Sequence, residues 1–279
     1  MTKFFLDSCN PDTTKKVKSV LGNLYGQTTN PSLLVKNPKL QNELVSGKLS
    51  EQRLLELYKE AVVAISKQIP EGSVSIEVYA DSNSTTSQLL KQAENFYTWI
   101  PNAHIKFPTI NTGLEAAENF VANGGRVNMT LVFSQAQALA VHLVTIKAKN
   151  KGDVFVSPFI GRLDEIGQNG IELVSNIQKM YAELDSKVEV LAASVRTLRH
   201  FQEAIALNCD IITAPSETLI AYKKDEIYQP QPDIAFAQSL ASIPYQDLNF
   251  SNWQDIDIKH ELTDKGLIRF TNDWNGVLL

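Results

Sequence analysis

Three short stretches decide the fold: Ser73-Val74-Ser75-Ile76-Glu77-Val78-Tyr79, His104-Ile105-Lys106-Phe107 and Val127-Asn128-Met129-Thr130-Leu131. Each is an apolar run of strand length, followed by a turn signal and then a longer segment with helical spacing. The alternation continues outward in both directions. Further strands are expected at Lys3 to Asp7, Leu24 to Thr28, Val154 to Ser157, Val188 to Ala193 and Asp210 to Thr213. Between them, Glu51 to Lys67 carries Leu54, Leu55, Tyr58, Ala61, Val62 and Ile65 on one helical stripe. Thr112-Gly113-Leu114-Glu115 has the pattern of a capping box, and Asn10-Pro11 and Asn30-Pro31 each pair an N-cap residue with proline at the first helical position. Eight β-then-α units match the size of a (β/α)8 TIM barrel, whereas a doubly wound sheet usually stops at five or six strands. The expected architecture is therefore α/β, one barrel domain over residues 1–279 with 225–279 as a C-terminal extension. There Pro230, Pro232 and Pro244 interrupt the helical spacing, and Leu262 to Trp274 forms a last helix that docks Leu267, Ile268 and Phe270 on the barrel.

Composition narrows the function. The 279 residues are 43% hydrophobic and 20% charged, an average balance for a globular chain, so disorder and coiled coil are disfavoured. A net charge of −5 lacks the positive field that binding to nucleic acid or an anionic membrane needs, so a phosphate must be held by a local cluster. Cys9 and Cys209 form no Cys-x-x-Cys pair, which suits a reducing compartment, and no segment approaches the length of a membrane span. A soluble, unprocessed, cytoplasmic protein is the expectation.

Strand parity places the polar residues. In a barrel, chemistry belongs at the C-terminal ends of strands, on inward side chains. One face of the third strand is Val74, Ile76 and Val78, and the other is Ser73, Ser75, Glu77 and Tyr79. By the same count His104 and Lys106 share a face, as do Asn128 and Thr130, while Asp7, Ser157 and Ser194 end their strands and Arg196 follows. Plainer readings exist for each. A lysine in a strand often guards an exposed edge, a carboxylate can be a structural partner, Asp7 and Asn30 can be caps, Asn128 and Thr130 satisfied interior groups, Ser157 and Ser194 turn residues, and Arg162 and Arg196 surface ion pairs. A closed barrel has no edges, however, and all of these groups converge on one mouth.

A free lysine is neutral at pH 7 only about once in 2,500 molecules, and burial can lower its pKa by several units. A neutral amine there can attack a ketone to form a Schiff base, whose protonated imine is an electron sink for carbon-carbon cleavage. Glu77, one strand away, suits the proton transfers of imine formation, Asp7 suits the hydroxyl at the broken bond, and an arginine with a serine suits a phosphate. The histidines His104, His142, His200 and His260 show no metal-ligand spacing, and neither a dinucleotide fingerprint, a Walker loop nor a Gly-x-Ser-x-Gly elbow is present.

Several motifs together resemble those of the transaldolase family, with the fructose 6-phosphate aldolases as relatives. They are Thr28-Thr29-Asn30-Pro31-Ser32, Ile105-Lys106-Phe107-Pro108, Asn128-Met129-Thr130-Leu131, Ser157-Pro158-Phe159-Ile160-Gly161-Arg162, Ala192-Ala193-Ser194-Val195-Arg196, and Thr263-Asp264-Lys265-Gly266 with Asp273-Trp274. The resemblance implies Lys106 as the Schiff-base lysine, Glu77 and Thr130 as holders of a proton-transfer water, and Asp7 as acid/base. It also implies Asn30, Asn128 and Ser157 on the dihydroxyacetone hydroxyls, and Ser194, Arg196 and Arg162 on the phosphate. It implies sugar phosphates as partners, no cofactor, no metal and a place in the pentose phosphate pathway, and leaves a homo-oligomer open. The aldolase branch generally carries Gln at the position of Glu77 and Tyr at that of Phe159, so both residues point to the transferase. Phe107, Thr109 and Val195 depart from the family's usual residues.

Overall fold

The computed structural model describes residues 1–224 and 239–279; Pro230 and Pro232 lie outside the described residues. The strands β1 (Lys3–Asp7), β2 (Gly26–Thr28), β3 (Ser73–Glu77), β4 (Ala103–Pro108), β5 (Val127–Val132), β6 (Val154–Pro158), β7 (Glu189–Ala192) and β8 (Ile211–Ala214) close in sequence order into a barrel. Every neighbouring pair is parallel, and β8 returns to β1. This is the (β/α)8 architecture that the alternation of apolar runs and helical segments predicts. The helices form the outer shell: α1 (Pro11–Leu21), α2 (Pro31–Val35), α3 (Pro38–Leu44), α4 (Glu51–Gln68), α5 (Thr86–Tyr97), α6 (Asn111–Ala122), α7 (Gln135–Val144), α8 (Ile160–Glu165), α9 (Gly170–Glu183), α10 (Leu198–Ala206) and α11 (Ser216–Lys224). A further helix, α12 (Glu261–Asn275), crosses the mouth side. Among the described residues no helix is long and apolar enough to cross a membrane.

The lower half of the barrel is plugged. Phe5 points inward, and a Cβ on Gly26 would sit 2.4 Å from its ring, so the glycine in β2 exists to admit that ring. Phe5 meets Phe155 edge-on at 5.8 Å, and Phe155 stacks on His104 at 4.2 Å. His104 Nε2 can only donate to the Gly152 carbonyl (2.9 Å), so Nδ1 accepts from the Ser73 hydroxyl (2.7 Å). Burial holds this imidazole neutral, with its pKa pushed down to about 3. His104 therefore shares the face of Lys106, as parity predicts, yet belongs to the floor of the barrel.

Local expectations fare unevenly. Asn10 and Asn30 cap α1 and α2 with proline at the first turn, as expected. The capping box at Thr112 does not form: α6 begins at Asn111, with no side-chain cap on its first turn. The chain folds straight from strand to helix because Gly113 lies against the Pro108 carbonyl, where a Cβ would come within 2.0 Å. On α4, Leu57 is buried and Leu55 only partly, so the stripe is rotated slightly from the predicted one. The β3 ladder ends at Glu77, and Tyr79 leaves the interior to pack beside Trp274 at 5.9 Å.

The closing helix buries Leu267 and Phe270 of the three residues expected to dock, together with Leu262 and Trp274, whereas Ile268 is 59% exposed. Leu131, at the end of β5, adopts φ 61° beside a register shift against β6, and its carbonyl accepts from Thr263 Oγ1 (2.9 Å). A Cβ on Gly266 would lie 2.6 Å from both Leu131 and Arg162, so only glycine lets α12 approach this closely. Thr271 Oγ1 donates to Ala80 (2.9 Å), and Asp273 accepts from Ser32.

Substituting Gly26→Ala should lower stability by about 1–3 kcal/mol, the usual cost of overpacking a full core. Thermal unfolding against the wild type measures it, and an unchanged melting temperature would mean that Phe5 is not held against β2.

Candidate active site

The C-terminal ends of the strands open onto a cavity of about 530 Å³. Of the site residues anticipated from sequence, Asp7, Asn30, Lys106, Ser157, Phe159, Arg162, Ser194 and Arg196 line it. Glu77, Asn128 and Thr130 stand just behind its surface in the barrel wall and are buried. All eleven thus occupy one end of the barrel.

At the deepest point, β3 and β4 bring Glu77 opposite Lys106 in register. The ammonium nitrogen lies 2.9 Å from Glu77 Oε2, and both side chains are only 4% exposed. Parity accounts for this: each is an inward residue one strand from the other. Burial pushes the Glu77 carboxyl up, opposed by the Lys106 charge and hydrogen bond, and raised further by Asp7. Asp7 is also pushed up by burial, against the Lys106 charge, a hydrogen bond from Thr28 and the charge of Lys36. Thr28 Oγ1 donates to Asp7 Oδ1 (2.7 Å), so its 2.6 Å contact with Thr213 must be a donation from the Thr213 hydroxyl.

A second group extends along β3, β5 and β6. Ser157 Oγ donates to Asn128 Oδ1 (2.6 Å), and Asn128 Nδ2 donates to Ser75 Oγ (3.0 Å). The amide is thereby oriented, with Ser157 on the cavity wall. Thr130 Oγ1 is buried and has no hydrogen-bond partner among the described residues. Asn30 accepts from Leu33 N (2.8 Å) as the cap of α2, so the plainer reading of that residue holds alongside its place on the cavity wall.

The outer rim is cationic. Arg162 lies over the rings of Phe159 (5.1 Å) and Phe270 (5.6 Å), and no carboxylate pairs with it among the described residues. Burial, with the charges of Arg269 and Arg196, pushes its pKa down to about 10. The clustered guanidinium groups suit an anion, which would relieve their mutual repulsion. Arg196 is more exposed and paired with Glu165, so the surface ion-pair reading describes it in part. Gly161 permits the motif's tight course: a Cβ there would be 2.3 Å from the Ser194 carbonyl, and Ser194 itself takes φ 57°. Behind the rim, Arg196 N donates to His200 Nδ1 (3.3 Å), so Nε2 carries the proton toward Asp164 (2.8 Å).

Sequence reasoning passed over Thr28, Thr213, Lys36 and Arg269, all of which line the cavity. The threonines had a signal, as the final inward residues of β2 and β8. Arg269 was legible only as one of six arginines sitting beside the apolar stripe of the last helix. The Phe107 departure faces away from the cavity, its ring 6.1 Å from Phe120, and Thr109 bonds the Thr130 carbonyl (2.8 Å); Val195 does line the cavity. Among the described residues no cluster of His, Cys, Asp and Glu is arranged to hold a metal ion.

The sequence pattern of the family described as transaldolase/fructose-6-phosphate aldolase matches residues 4–279. The chain belongs to that family. It is 35% identical to a probable transaldolase of Brucella ovis over 98% of this chain and 96% of that protein. A probable transaldolase of Paracoccus denitrificans is 33% identical over the same shares, and one of Dehalococcoides mccartyi is 32% identical over 99% of both chains. Membership makes the cavity the candidate active site of a sugar-phosphate-processing enzyme.

Thr28→Val removes the hydrogen bond that favours ionised Asp7, so the Asp7 carboxyl should rise further. If ionised Asp7 is the working form, the acid limb of kcat/KM against pH should move to higher pH. A limb that stays in place would detach Asp7 from the rate.

Proposed function

We propose that the protein is a transaldolase that moves a dihydroxyacetone unit from a ketose phosphate to an aldose phosphate through a Schiff base on Lys106. The observation that carries this reading is the 2.9 Å contact between buried Lys106 and Glu77 at the floor of the mouth. Glu77 is positioned to take a proton from the ammonium, leaving a neutral amine that adds to the C2 carbonyl. Loss of water from the adduct needs further proton movement, which suits Glu77 with Thr130 acting through one water.

The protonated imine then draws electrons from the C3–C4 bond. Asp7 takes the proton of the C4 hydroxyl as that carbon becomes an aldehyde, and the aldose phosphate leaves. The three-carbon enamine on Lys106 attacks the acceptor aldehyde, Asp7 returns its proton to the new alkoxide, and hydrolysis of the imine frees the product and the lysine. In this reading Asn30, Asn128 and Ser157 hold the dihydroxyacetone hydroxyls. Ser194, Arg196 and Arg162 hold the phosphate, with fructose 6-phosphate or sedoheptulose 7-phosphate as donor. The pentose phosphate pathway is the corresponding setting.

Phe159 supports transfer over release. A buried ring above the cavity offers no hydroxyl to activate water against the enamine, so the intermediate waits for an aldehyde.

Lys106→Met should lower turnover by more than about a thousandfold, the order expected when a covalent nucleophile is lost. Wild-type turnover of fructose 6-phosphate should require an aldose phosphate acceptor, and Phe159→Tyr should raise release without acceptor. A wild-type enzyme that cleaves fructose 6-phosphate equally fast with no acceptor would be an aldolase instead.

A further inference from the structure

We infer that Tyr58, on the outer wall of the barrel, is a positioning residue for Glu77, acting in series with Thr29. In the β2–β3 ladder, odd-numbered amides of β3 face β2: Ser73 N donates to Tyr25 O (3.0 Å), and Thr29 N donates back to Ser75 O (3.1 Å). The next amide on that side is Glu77 N, but β2 ends at Thr28 and Asn30-Pro31 turns the chain into α2. The ladder therefore runs out at the residue that carries the carboxylate. Tyr58 OH fills the vacancy, accepting from Glu77 N at 2.9 Å.

The hydrogens in this chain can be assigned. Thr29 Oγ1 donates to the Ser75 carbonyl (2.7 Å), so at its 2.6 Å contact with Tyr58 it must accept. Glu77 N–H, the Tyr58 hydroxyl, the Thr29 hydroxyl and the Ser75 carbonyl thus form one directional relay, with each hydroxyl donating once and accepting once. Tyr58 cannot move to relax it, being fully buried among Phe96, Trp99 and Trp274 with ring centroids 5.9–6.4 Å away. Thr29, the one polar member of the Thr28-Thr29-Asn30 motif that touches no cavity surface, thereby acquires a function. The relay pins the backbone of Glu77 at the register that sets its carboxylate against Lys106.

The inference rests on the proposed proton-transfer role of Glu77. Its test is Tyr58→Phe, which keeps the ring in its aromatic pocket and removes only the hydroxyl, alongside Thr29→Val and the conservative Thr29→Ser. Melting temperature is measured with kcat, KM and the pH profile. The groups whose charge Glu77 feels are Lys106 on β4, Asp7 on β1 and Arg162 on α8. A carboxylate released from its register loses most of the Lys106 stabilisation of its ionised form, so its acid limb should move to higher pH. We expect kcat to fall about ten- to a hundredfold in Tyr58→Phe and Thr29→Val with KM little changed, the limb to move up in both, and Thr29→Ser to recover. If both variants lose melting temperature but keep the wild-type kcat and pH profile, the relay is only structural and the inference is overturned. An active Lys106→Met would instead overturn the proposed function, so the two failures are distinguishable.

Discussion

The contact between Lys106 and Glu77 is the constraint around which the upper half of this barrel is arranged. Two opposite charges with 4% exposure cost several kcal/mol of desolvation apiece, repaid only when geometry and surroundings are right. A barrel supplies those conditions because it has no edge along which a strand lysine can reach water. Below the pair, Phe5, Phe155 and neutral His104 close the floor, so the ammonium can face only upward into the cavity. Around it stand two separate hydrogen-bonded groups, Asp7 with Thr28 and Thr213, and Asn128 with Ser157 and Ser75. The pair has one open direction, and the cavity lies in that direction.

Depth then separates functions. The floor of the mouth holds the buried pair of Lys106 and Glu77, and the rim holds the arginines. Arg162 depends on α12, since Phe270 lies beneath its guanidinium and Gly266 allows the helix to come within contact of Leu131. The last helix is thus part of the mouth as well as a cover for the shell, and it brings Arg269 to the cavity wall. On the far side, His200 and Asp164 support the backbone of Arg196. The cationic rim is therefore assembled from the segments after β6 and β7 together with a helix distant in sequence.

Much of this was legible because barrel strands obey period two. Once Glu77, Lys106, Asn128 and Thr130 were counted onto inward faces, their convergence followed from the closure of eight strands. The same count failed at Tyr79, because β3 ends at Glu77, its last pair with Lys106 of β4, and parity has no meaning beyond the last paired residue. The capping box at Thr112 failed because sequence shows a favourable local pattern but not the Pro108 carbonyl against Gly113, which moves the helix start. Ile268 is exposed although it lies on the expected docking stripe, because an apolar run of two on a helix cannot say which member faces inward. Arg269 and Lys36 needed the docking of helices on the mouth, a tertiary fact with no local signature.

The most direct test of the central claim is borohydride reduction in the presence of fructose 6-phosphate, followed by peptide mass mapping. A three-carbon adduct on Lys106 is the expected result, since reduction would trap the imine of the unit left after C3–C4 cleavage. A folded protein that binds the sugar phosphate but acquires no adduct on Lys106 would contradict the account and leave the barrel as a sugar-phosphate binder without this chemistry.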